Sequence, residues 1–195
     1  REGETVSSGW LGADRIFTTP EFQKRHDVVE LSLLTPKCTL VPSHFFDPLS
    51  ARGALEDVVS LQEEDKVEYI EMPQFDSVLV WSPSIGESLS EAIARTVADS
   101  YGNHPRVLPE MYYILRDLVD CQEYNKILAS WHDTCLNLAI AQGHSLLLCN
   151  SFEAVDFTSA EYFIFHAMHS LQLNPEVSTI FFRTPLATEE EMSLY

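Results

Sequence analysis

"NKILASWHDTCLNLAIAQGHSLLLCNSF", residues 125–152, holds three short apolar runs with a polar turn between each. The runs are expected as strands over 126–131, 135–141 and 145–152. Strands this short, joined by turns alone, pair antiparallel as a meander, because a parallel neighbour would need a long crossover. Gln142-Gly143-His144 fits a three-residue hairpin loop in which Gly143 takes a positive φ. The other turn reads Ser130-Trp131-His132-Asp133-Thr134 and has no glycine.

Downstream, Thr158-Ser159-Ala160-Glu161 reads as a capping box, Thr158 at the cap and Glu161 three on. The helix it opens is expected to reach about Leu173 and to stop at Asn174-Pro175. A strand over 178–182 follows, ended by Pro185. With the helix as crossover, that strand is expected beside the first strand of the meander and parallel to it. At about 100° per residue, Ala160, Phe163, Ile164, Ala167, Met168 and Leu171 share one side of the helix, which should pack on the sheet. The opposite side carries Tyr162, Phe165, His166 and His169, and no Lys, Glu or Gln at those positions. Aromatic residues are enriched where proteins meet, so these four are the candidate interface with another chain. The competing reading is that another part of the same protein covers them.

Upstream, 28–35 and 38–41 read as strands, and Ser50 as the cap of a helix to about residue 60. Thr19-Pro20-Glu21 could open a short helix toward His26. Two further strands, 67–72 and 77–81, flank Pro73-Gln74; the second is nearly all apolar, as a strand covered on both faces would be. A helix is expected over 87–100, ended by Gly102, then a short strand at 106–108 and a helix opened by Pro109.

The chain has 195 residues, 45% hydrophobic and 22% charged, which suits one compact domain or two small lobes. Its formal charge of -18 opposes nucleic acid and anionic membranes, both of which need clustered Lys and Arg. No apolar run approaches the roughly 18 residues of a membrane span. Cys38, Cys121, Cys135 and Cys149 show no CxxC spacing, so buried free thiols in a reducing cytoplasm are the simplest account. The chain begins at Arg1 and ends on what looks like the start of a helix, so both ends of the natural protein are expected to be missing.

Three stretches taken together, "TLVPSHFFDP" at 39–48, "LLLCNSF" at 146–152 and "LQLNPE" at 171–176, resemble an uncharacterised bacterial family. It is best represented in the Bacteroidetes and catalogued among actin-like ATPases. The resemblance spans the chain from about Val28 onward. It implies an α/β fold of the actin-like (ribonuclease H-like) kind, with two related lobes of mixed sheets flanked by helices. The lobes would be 1–122 and 123–195. It implies no reaction, because the family is a domain of unknown function.

In actin-like enzymes the first meander turn wraps phosphate with glycines, and an acid for the metal ends the strand before it. Aligned by the strands, Ala129 or Ser130 falls where the acid belongs, and Trp131, His132 and Asp133 fall where the glycines belong. A carboxylate about 4 Å from a phosphate costs about 4 kcal/mol at an effective dielectric of ~20. The adenosine-binding strand of such enzymes ends in paired glycines; here Arg183-Thr184-Pro185 stand instead. The guanidinium of Arg183 could stack on a base. His132-Asp133 as an acid–base pair and His166/His169 as metal ligands are weaker readings, since neither has convergent partners in the sequence. No GxSxG, P-loop or HExxH string is present. The expectation is a degenerate, non-catalytic binding or scaffold protein with no cofactor or metal, acting through an unknown protein partner or self-association. The alternative is an ATPase or sugar-kinase-like phosphotransferase of the actin-like superfamily that binds ATP and Mg through unconventional phosphate loops.

Overall fold

The computed structural model describes residues 18–20, 24–84, 91–92 and 95–184. Chain order is β1 (Leu31–Leu33), β2 (Cys38–Pro42), α1 (Ala51–Glu56), β3 (Glu68–Met72), β4 (Ser77–Trp81) and β5 (Val107–Pro109). Then come α2 (Glu110–Asp120), β6 (Asn125–His132), β7 (Cys135–Gln142), β8 (Ser145–Glu153), α3 (Phe157–Ser170) and β9 (Ser178–Arg183). Of the helix expected over 87–100, residues 91–92 and 95–96 are helical but 97–100 are not, Asp99 bridging to His26 instead; the rest of it, and part of the helix expected from Thr19, lie outside the described residues.

The described strands make three sheets: β1-β5, β2-β4-β3 and β8-β7-β6-β9. In the last, β6, β7 and β8 are the antiparallel meander, and β9 lies parallel to β6 with Asn125 opposite Ser178. That is the expected topology. The α3 crossover sits on the sheet, its Ala160, Ile164, Ala167 and Met168 buried against Ile127, Ala129, Leu136, Leu138 and Ile140.

The opposite face of this sheet meets α2. Leu128, Ala139 and Ala141 pack there with Met111, Ile114, Leu115 and Leu118. The same helix packs against Leu79 and Trp81 of β4, while Val78 and Val80 point the other way, onto Leu55 of α1. The molecule is therefore layered as α1, three-stranded sheet, α2, four-stranded sheet, α3. β4 is buried at every position, which is why its sequence shows no alternation.

Several boundaries differ from expectation. The first strand shrinks to Leu31–Leu33, where it pairs with Val107–Pro109. The helix expected from Ser50 ends at Glu56. Its entry is set earlier, at a 3-10 turn over Pro48–Ser50 where the Asp47 carboxylate accepts from the Leu49 N–H. The expected three-residue loop is a two-residue one: Gln142 pairs with Ser145, and Gly143 sits at φ 59. Thr158 does not cap α3; Asp156 does, accepting from the Ser159 N–H at 2.7 Å.

Candidate functional site

The first meander turn is shorter than its sequence suggests. β6 continues through Trp131 and His132, and His132 pairs with Cys135. Only Asp133 and Thr134 form the turn, with Asp133 at φ 56. A two-residue loop of this kind needs a left-handed first residue, and aspartate accepts that conformation better than most side chains. Trp131 is held in the strand from its α3 side. Its indole N–H donates to the Ala154 carbonyl at 2.9 Å, and its ring meets Phe157 edge-on at 5.9 Å.

On the α2 side, the sheet ends in a row of His132, Cys135 and Glu153, and the row before it is polar. Arg183, Ser130, Asn137 and Ser151 stand opposite one another across β9, β6, β7 and β8. The next row inward, Leu128, Ala139 and Cys149, is apolar. The buried Ser130 hydroxyl donates to Glu110 Oε1 at 3.1 Å, and Ser32 donates to the other oxygen of the same carboxylate. Ser151 donates to Asn137 Oδ1 at 2.7 Å and lies 3.6 Å from Cys38 Sγ. Asn137 Nδ2 is buried without a hydrogen-bond partner among the described residues. Arg183 pairs with Asp117, which Arg116 also contacts at 3.1 Å. Burial raises the Asp117 pKa, but the hydrogen bonds from Arg183 and Arg116 outweigh it and leave that carboxyl lowered.

Glu110 was not a candidate from sequence. After Pro109 it reads as an acid favoured in a helix's first turn, and nothing local signals that it reaches Ser130, 20 residues on. Its position puts a carboxylate next to the end of β6, where the strand itself supplies none. Of the other positions, Thr184 is half-buried with its hydroxyl unpartnered among the described residues, and Pro185 lies outside them. Arg183 is engaged by Asp117 rather than free.

On the outer side of α3, Tyr162 is 61% and Phe165 50% exposed, and His166 and His169 are exposed as well. The Tyr162 and His166 rings stack at 5.5 Å. Among the described residues, no three His, Cys, Asp or Glu side chains gather as a metal site, and no helix is long and apolar enough to cross a membrane.

The arrangement of a meander, a crossover helix and a parallel return strand, packed through α2 onto a second sheet, defines an actin-like fold. A solved structure from Bacteroides thetaiotaomicron VPI-5482, described as having an actin-like ATPase fold and unknown function, superposes with a TM-score of 0.70 at 14% identity. The match covers 93% of this chain and 69% of that one. More narrowly, residues 13–192 match the family model described as Protein of unknown function (DUF3822), and the chain belongs to that family. No curated protein matches.

Proposed function

We propose that this protein is a non-catalytic member of the actin-like group, acting in the cytoplasm as a binding or scaffold protein. The two-residue turn Asp133-Thr134 carries this reading. A phosphate cradle needs several backbone N–H groups converging on the anion, which calls for a longer, glycine-bearing loop. Here the turn is tight and acidic, and the row beneath it is closed by hydrogen bonds among Ser32, Glu110 and Ser130. The outer face of α3, with Tyr162, Phe165, His166 and His169, is the contact surface for a protein partner or a second copy.

One observation favours the second reading, an ATPase that takes ATP and Mg. Glu110 brings a carboxylate to Ser130, where a metal-associated acid would be useful. Titration calorimetry with Mg-ATP, paired with a phosphate-release assay, separates the two. The expected result is no saturable heat and no turnover above background. Micromolar binding that disappears in Glu110→Gln would replace the first reading with the second.

A further inference from the structure

The stretch 39–48 has no part in the site above, yet the loop it leads into leaves large apolar groups in water. Leu49 is 95% exposed and Phe45 74%. The loop is pinned. The Ser43 N–H donates to the Asp76 carbonyl at 2.9 Å, and the Asp47 carboxylate accepts from the Leu49 N–H at 2.9 Å. Two large apolar side chains held in water on a pinned loop gain nothing for the fold, and grouped exposure of this kind marks an interaction surface.

Beside the loop runs an open groove of about 500 Å³ between β3 and the 3-10 turns. Phe46, Tyr69, Pro48 and Pro73 line it, and the Phe46 and Tyr69 rings lie 5.0 Å apart at a 57° tilt. Glu71 and Asp76 line it too, and among the described residues no Lys or Arg does. Neither carboxylate has a hydrogen-bond or ion-pair partner among the described residues.

We propose that this groove, together with the exposed Phe45 and Leu49 beside it, binds an extended, proline-containing peptide segment that carries a Lys or Arg, supplied by a partner protein. Tilted aromatic rings and proline edges form slots that suit the pyrrolidine rings of a polyproline II segment, which reaches the groove already ordered. The two free carboxylates select a cation, and the chain's -18 charge favours approach of a basic partner. A second copy fits poorly, because it would bring the same two carboxylates and the same charge. The inference does not depend on the α3 face or on whether nucleotide binds.

The test is selection of phage-displayed random dodecapeptides on the full chain, followed by fluorescence anisotropy of a synthetic enriched peptide. Two double variants serve as controls: Phe45→Ser with Leu49→Ser, and Glu71→Gln with Asp76→Asn. The second keeps a side chain that tolerates the left-handed backbone of Asp76, at φ 47. Circular dichroism checks that both are folded. Enriched peptides should combine proline with Lys or Arg, should bind each variant about tenfold more weakly, and should weaken as salt rises. No enrichment, enriched peptides lacking proline or a basic residue, or equal binding to the folded variants would overturn the proposal. So would a wild-type dimer that the Phe45→Ser/Leu49→Ser variant turns into a monomer in sedimentation.

Discussion

Asp133 holds the tightest constraint in the meander, a left-handed backbone at φ 56 between two paired strands. Removing its side-chain oxygens while keeping Cβ should cost about 1 kcal/mol, whereas Asp133→Gly should stay within a few tenths, because glycine adopts this conformation freely. Urea unfolding of the two variants checks this; an Asp133→Ala protein as stable as wild type would show that the turn is not held as described. The thiols allow a second prediction. Burial pushes Cys38 and Cys135 up to about 11, and Cys149 higher still. A thiolate-selective reagent at pH 8 should leave these three unmodified in the folded chain and react with them quickly in denaturant. The folded state binds these protons more tightly than the unfolded one. Their contribution is therefore complete below the ordinary thiol value of 9.0 and fades as pH rises through about 11.

At the level of elements, α3 was legible in its faces and not in its ends. The periodicity separates Ala160, Ile164, Ala167 and Met168 from Tyr162 and Phe165, and burial follows that division. The cap was misplaced by two residues because Asp156 and Thr158 both offer side-chain acceptors. Phe157 decides between them: its ring meets Trp131 at 5.9 Å and Phe182 at 5.4 Å, which draws the first turn into the helix. Asp156→Ala should therefore destabilise by about 1 kcal/mol, and Thr158→Ala by much less, in thermal or urea unfolding. At the other end Gln172 sits at φ 56, with the Leu173 N–H reaching the Met168 carbonyl at 2.9 Å. Gln172→Gly should stabilise the chain by up to about 1 kcal/mol. Phe165→Asp, at a half-exposed position, should leave folding intact; loss of self-association or of a partner in that folded variant would locate the contact on α3.

Across the whole molecule, α2 joins the two larger sheets, and its charged face ties in the edges. Arg116 pairs with Glu30 ahead of β1 and with Asp117, and Asp117 pairs with Arg183 at the end of β9. The carboxyls of Asp65, Asp99, Asp117 and Asp156 are all lowered from the ordinary 3.8. The hydrogen bond from Lys37 leads for Asp65, from Asn103 for Asp99 and from Ser159 for Asp156. Depressed carboxyls stabilise the fold fully above 3.8, and that stability is lost as pH falls through their folded values. The urea midpoint should change little between pH 7 and 5 on their account and drop below pH 4. A midpoint that is flat down to pH 2 would show these ion pairs and caps to be without net effect.

The sequence by itself determined the meander, the crossover helix, the order of the return strand and the doubly covered β4. All of these follow from local periodicity and from the rule that a parallel neighbour needs a crossover. It could not determine where β6 ends. The strand is expected to stop at Trp131, and His132 joins it next to an indole that Ala154 and Phe157 hold in place. Nor could it place Glu110 at Ser130, join Arg183 to Asp117, or set Phe46 against Tyr69 beside two free carboxylates. Those contacts link residues about 20 or more positions apart, and such pairings are settled by how sheets and helices stack, which no local pattern encodes.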